Sequence, residues 1–292
     1  MPISRARQLL LLLSVLAASA ALVACGSGDS DDSSSSSSET VSLEDCTPEQ
    51  LETVSDGTLT IATDKPAFPP YFVDNDPTNG KGFESAVGYA IADQLGFSED
   101  QVEWTVEAFN SSYAPGPKDF DFDVNQISIT DKRAEQVDFS SPYYTADQAV
   151  LAVPGSDAEG AQSLSDLADL DIGVQIGTTS LDALTESVEP NAEPQVFDTS
   201  NDVVSALENG QVDAIVVDTP TALYLSAAVI DGGILVGEFS APGGDEWGAL
   251  LEKDSALTDC VSAAVDELQS SGELPKIQKR WINAGGGVAT LE

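Results

Sequence analysis

Between residues 58 and 239, short apolar runs alternate with longer segments whose apolar residues recur every three or four positions. TLTIA (58–62) alternates and is β-branched, which predicts a strand. GFESAVGYAIADQLG places Val87, Ile91 and Leu95 at i, i+4 and i+8 and ends on Gly96, which predicts an amphipathic helix with a glycine stop. Strands are predicted again over 102–109, 123–129, 148–153, 171–176, 212–217 and 233–239. Thr178-Thr179-Ser180 opens a helix with Leu181 and Leu184 on its apolar face, and Thr199 to Asn209 forms another, closed by Gly210. Pro220 initiates a third. Thr258 to Asn283 is helical with a break near Gly272 and Pro275. Strands alternating with helices predict α/β layers with mostly parallel sheets. In such sheets a ligand sits beyond the carboxyl ends of the strands.

The N-terminal pattern differs. Arg5 and Arg7 precede an uncharged stretch from Leu9 to Ala24. That stretch is shorter than the roughly 20 residues a spanning helix needs, so residues 1–24 read as an export signal. Leu22-Val23-Ala24-Cys25-Gly26 resembles a bacterial lipobox, with Cys25 as the lipidated first residue. Residues 25–45 are rich in Ser and Asp and read as a flexible tether. With Cys25 carrying lipid, Cys46 and Cys260 remain outside the cytoplasm, where disulfides persist. A Cys46–Cys260 disulfide is expected, the alternative being two buried thiols.

Charge narrows the chemistry. Lys+Arg number 11 against 50 Asp+Glu, with no histidine and a net charge of −39. Nucleic-acid binding needs basic groups for phosphates and is excluded. Without histidine there is no Ser-His-Asp device and no imidazole metal ligand. Neither a cofactor nor a metal is implied.

Three segments carry a family resemblance: GTLTIATDKPAFPPYF with GKGFESAVGYAIADQLG, then DFDVNQISITDKRAEQVDFSSPYY, then DIGVQIGTTSLDAL with NGQVDAIVVDTP. Together the chain resembles the family 3 solute-binding proteins, the receptors of polar amino-acid ABC importers. The resemblance implies a periplasmic-binding-protein-like fold of type II, two α/β lobes joined by two crossover strands near 149–154 and 238–244. Lobe 1 is expected over 46–150 and 241–285, lobe 2 over 151–240, and a C-terminal tail over 286–292.

The resemblance also implies the site. Arg133 matches the family's carboxylate-binding arginine and Ser128 a hydroxyl that faces the ligand. Gln126 matches a position whose backbone carbonyl receives the α-ammonium. Thr178 and Thr179 open a lobe 2 helix, where one hydroxyl caps while the other residue meets the carboxylate. Asp218 matches the ammonium-binding aspartate; taken alone it reads as an N-cap before Thr219-Pro220. Asp64, Phe68, Phe109 and Gln175 match readers of the ligand side chain. Taken alone, Arg133 reads as a surface ion pair and the phenylalanines as ordinary core.

The implied function is capture of a free, polar L-amino acid by lobe closure. The receptor would be a monomer, lipid-anchored to the outer face of the cell membrane, delivering to permease subunits with a cytoplasmic ATPase. Two alternatives stay open: a cyclohexadienyl-dehydratase-like enzyme on the same fold, and a surface receptor that senses without transport.

Overall fold

The computed structural model describes residues 41–282 and 288–292. The export signal, Cys25 and most of the tether lie outside the described residues.

In chain order the elements begin with β1 (Leu59–Thr63), α1 (Phe83–Gln94), β2 (Val102–Val106), α2 (Phe109–Ser112), β3 (Phe122–Asp123), α3 (Asp131–Ala134), β4 (Val137–Thr145) and β5 (Gln148–Ala152). They continue with β6 (Ile172–Gln175), α4 (Thr179–Ala183), β7 (Gln195–Phe197), α5 (Ser200–Glu208), β8 (Ala214–Asp218) and α6 (Thr219–Tyr224). The last are β9 (Ile234–Phe239), β10 (Glu246–Glu252), α7 (Thr258–Ser270) and α8 (Glu273–Trp281). Two five-stranded sheets result, ordered β2-β1-β3-β10-β4 and β7-β6-β8-β5-β9.

Both sheets are half antiparallel, which corrects the expectation of mostly parallel pairing. The cause is the double crossing: β10 returns to the first sheet against β3 and β4, and β5 enters the second against β8 and β9. Because β5 already pairs in the second sheet, the first crossing lies at Ala146–Asp147, ahead of the 149–154 expected. Strand β3 is two residues long, not the seven predicted over 123–129. Gln126 adopts a left-handed φ of 49°, which ends regular pairing, and Ser128 contributes one isolated bridge to Trp247. The 102–109 run likewise splits into β2 and α2. Residues 288–292 lie along β9, with Leu291 buried in the core beside the second sheet.

The first lobe is built on burial of whole strands. Every residue of β1 is buried, as a central strand covered on both faces requires. Helix α1 packs Phe83, Val87 and Ile91 into the same core as Trp247, Tyr143 and Phe122. Its N-cap is Gly82 at φ 107°, where a Cβ would stand 2.1 Å from the Tyr71 carbonyl oxygen, so only glycine fits. Cys46 and Cys260 are joined in a disulfide that fixes the start of this lobe to α7 across 214 residues of sequence. Closing so long a loop removes up to ~5 kcal/mol of unfolded-chain freedom in the entropy model.

Candidate functional site

The carboxyl ends of β1, β6 and β8 face one another across the crossovers and enclose a cavity of about 530 Å³. Asp64, Phe68, Phe109, Gln126 and Ser128 line it from the first lobe, and Gln175, Thr178, Thr179 and Asp218 from the second. Several contacts bridge the lobes around it. Tyr71 Oη and Thr221 Oγ1 are 2.8 Å apart, Ser128 Oγ and Thr179 Oγ1 are 3.1 Å apart, and Arg133 Nη2 donates to the Gly177 carbonyl at 2.9 Å. The lobes are closed on each other.

Arg133 stands beside the cavity rather than among its lining residues. It is 7% exposed and sits at the end of α3, whose N-cap Thr130 accepts a hydrogen bond from the Arg133 amide. Its Nη1 donates to the Ser128 carbonyl at 2.7 Å, and its guanidinium lies 4.8 Å over Tyr113 and 5.4 Å over Phe109. Phe109 is therefore a cation–π platform as well as a cavity wall. Two of the five guanidinium donors reach carbonyls, which leaves the others for an anion.

Gly177 is one point of close approach between the lobes. At φ 76° it avoids side-chain strain, and a Cβ would stand 2.5 Å from Tyr113 Oη. Helix α2 and its C-cap residue thus supply Asn110 and Tyr113 to the closed interface.

Asp218 stands at the N-cap position of α6, but its side chain makes no capping bond. Its Oδ1 accepts from Gln148 Nε2 at 2.8 Å. Burial, then the neighbouring Asp245 carboxyl, push the Asp218 pKa well above the usual carboxylate range. Thr178 is the cap of α4, accepting from the Leu181 amide at 3.3 Å and donating to the Gln175 carbonyl at 2.8 Å. Thr179 Oγ1 instead donates to Asp245 Oδ2 at 3.0 Å.

Other residues are engaged locally. Asp64 accepts from the amides of Lys65 and Phe109, at 2.6 and 3.3 Å, and so braces the first loop. Gln175 Oε1 accepts from Ser200 Oγ. Gln126 turns its side chain away, donating from Nε2 and from its backbone amide to Glu84. Glu84 is fully buried, accepts also from Tyr143 Oη, and is raised by burial to about 7. Phe68 is 40% exposed at the cavity rim.

The sequence reading missed Tyr71, Thr221, Gln148 and Asp245. Gln148 and Asp245 adjoin the two crossings, so a polar residue buried at a crossing was the available signal. Asp245 is 1% exposed and Gln148 fully buried. Among the described residues no cluster of His, Cys, Asp or Glu suited to a metal occurs, and no helix is long and apolar enough to cross a membrane.

The bacterial extracellular solute-binding proteins, family 3, match residues 59–284 of the chain. The arginine-binding extracellular protein ArtP of Bacillus subtilis (strain 168) is 30% identical over 206 residues, covering 69% of this chain and 77% of that protein. Among solved structures, an ancestral arginine-binding protein bound to arginine superposes with a TM-score of 0.64 at 32% identity, covering 77% of this chain and 97% of its own. The ancestral amino acid-binding protein AncCDT-1, described as a precursor of cyclohexadienyl dehydratase, superposes at 0.62 with 28% identity, covering 77% and 95%.

Proposed function

We propose that this chain, which belongs to family 3 of the bacterial extracellular solute-binding proteins, binds a free amino acid between its lobes and presents it to an ABC permease. The observation that carries the proposal is the pairing of charges across one cavity. Arg133, beside the cavity, has donors left over from its bonds to Ser128 and Gly177, and Asp218 lines the cavity from the other lobe with one hydrogen-bond partner. The α-carboxylate is assigned to Arg133 with Ser128 and Thr179, and the α-ammonium to Asp218. Phe68, Phe109, Asp64 and Gln175 border the space left for the side chain. Asp64, Asp198 and Asp218 line the cavity against Lys65, so a basic amino acid balances its charge best. A ligand that touches both lobes favours the closed form by its differential contacts.

The proposal includes lipid attachment at Cys25, a monomeric receptor and a place on the outer face of the cell membrane. It assigns no catalytic step. A dehydratase would need a general acid in the cavity; Asp218 is the cavity carboxyl that burial and Asp245 push well above the usual range, and it is read as the ammonium partner instead. Incubation with a cyclohexadienyl acid, followed by ultraviolet absorbance, is expected to form no aromatic product.

A thermal-shift and calorimetric screen of the twenty amino acids on residues 41–292 tests the binding claim. Basic amino acids are expected to raise the melting temperature first, by about 2.7 kcal/mol of added stability at a hundredfold excess over Kd. Folded protein that responds to none of them overturns the proposal.

A further inference from the structure

One side-chain amide serves two carboxylates at the crossing. Gln148 Nε2 donates to Asp218 Oδ1 at 2.8 Å and to Asp245 Oδ2 at 2.7 Å. Gln148 Oε1 accepts from Ser180 Oγ at 2.6 Å, which fixes which end of the amide faces the carboxylates. The other Asp245 oxygen, Oδ1, is buried without a partner.

The partners belong to different lobes. Gln148 pairs with Asp218 on β8 and Phe239 on β9, inside the second sheet. Asp245 precedes β10 in the first sheet, and its carbonyl accepts from the Ala146 amide at 2.8 Å. The Gln148–Asp245 bond therefore crosses between lobes, as does the Thr179–Asp245 bond. In the closed arrangement a first-lobe carboxylate and a second-lobe carboxylate share one neutral donor. Two like charges so placed oppose each other, and withdrawing them from water makes the opposition stronger. Arg133 on α3 is the cation that faces the pair, while Glu84 on α1, Tyr71 before α1 and Tyr144 on β4 face Asp218 as further titratable groups.

We propose that Asp245 is a positioning residue that makes lobe closure conditional on a cationic group at Asp218. An ammonium ion beside Asp218 supplies the missing positive charge, and the lobes close on it. Without that cation, closure forces the two carboxylates together unless a proton is taken up. The inference rests on the reading of Asp218 as the ammonium site.

The experiment attaches a donor and an acceptor dye to exposed positions on the two lobes and reads the closed fraction by single-molecule energy transfer, with no amino acid present, from pH 8 to pH 5. Asp245→Asn is expected to raise the closed fraction about tenfold over wild type at pH 8, and wild type is expected to approach the variant as pH falls. Gln148→Met removes the shared donor and is expected to move the closed fraction in the opposite direction. Glu84 also titrates in this range and faces Asp218, but it is unchanged in both proteins, so its effect is common to wild type and variant. Equal closed fractions in wild type and Asp245→Asn across the range overturn the proposal. If Asp245→Asn fails to fold by circular dichroism, an unchanged closed fraction in Gln148→Met overturns it alone. The measurement contains no ligand, so its failure is distinct from failure of the amino-acid reading, which calorimetry decides.

Discussion

Two carboxyl groups, the buried Glu84 of the first lobe and the half-buried Asp218 of the second, are treated in opposite ways. Glu84 in the first lobe accepts hydrogen bonds from the Gln126 amide, the Gln126 side chain and the Tyr143 hydroxyl, all from its own lobe. Asp218 in the second accepts one, from an amide it shares with Asp245. Both are raised by burial. A carboxyl ringed by donors holds backbone in place: Glu84 pins Gln126 at its left-handed φ and thereby sets the turn that carries Ser128. A carboxyl with one donor on the wall of a cavity is a poor structural element and a good partner for an incoming cation. The count of donors and the open face on the cavity separate site from scaffold.

The largest expected effect lies at the second of these groups. Asp218→Asn is expected to weaken amino-acid binding by about 2–5 kcal/mol, the cost of leaving a buried charge without its partner. Its thermal stability at pH 7.5 is expected to hold or rise, because the substitution removes a buried charge that its surroundings disfavour. Calorimetry and thermal unfolding on one preparation check both. A variant that loses stability along with affinity would show Asp218 to be scaffold and would dissolve the contrast. Arg133→Ala is expected to weaken binding over a similar range; near-normal affinity would remove Arg133 from the site.

Much of this was legible along the chain, and for identifiable reasons. Val87, Ile91 and Leu95 mark α1 because a helix with one buried face must repeat its apolar residues near that period. Nine positions carried over by family resemblance meet in one cavity, and Arg133 stands beside it. The strand expected over 123–129 failed because Gln126 takes its backbone angle from Glu84, forty-two residues away, and no local propensity records that bond. Strands β4, β7 and β10 were not predicted; β4 and β10 are paired by contacts more than a hundred residues apart. Asp245 and Gln148 were illegible for a different reason. In a chain with 50 acidic residues one more aspartate carries no signal, and only the closed geometry shows that this one is buried beside another.

At the first carboxyl the expected effect is one of stability and has a definite sign with pH. The Glu84 pKa in the folded protein, about 7, lies above its ordinary 4.5. The folded state therefore favours the protonated form, and this contribution is complete below about pH 4.5 and is lost as pH rises through about 7. The interval corresponds to about 3 kcal/mol. Glu84→Gln cannot titrate, so its stability relative to wild type is expected to climb by about that amount between pH 4.5 and 8. Denaturant unfolding of both proteins at each pH measures the difference, and the repulsion among surface carboxylates cancels in it. A flat difference would mean that the Gln126 and Tyr143 donors compensate the ionised form fully. Affinity for the amino acid is expected to change far less than in Asp218→Asn.

The finest version of the contrast lies between two adjacent threonines. Thr178 Oγ1 makes both of its hydrogen bonds, to the Leu181 amide and the Gln175 carbonyl, inside the second lobe. Thr179 Oγ1 makes its bonds to Ser128 and Asp245, which belong to the first. The hydroxyl of Thr178 thus ends a helix whether or not the lobes meet, and that of Thr179 has its partners only when they do. Thr178→Ala is expected to lower stability by about 1 kcal/mol, the usual loss of a helix cap, with affinity unchanged. Thr179→Ala is expected to leave the unfolding midpoint of the ligand-free protein within a few tenths of a kcal/mol and to weaken binding by about 1 kcal/mol, the net worth of a hydrogen bond. If the two variants lose stability and affinity in the same proportion, then cap and closure are one event, and the lobes do not separate at Thr179 when they open.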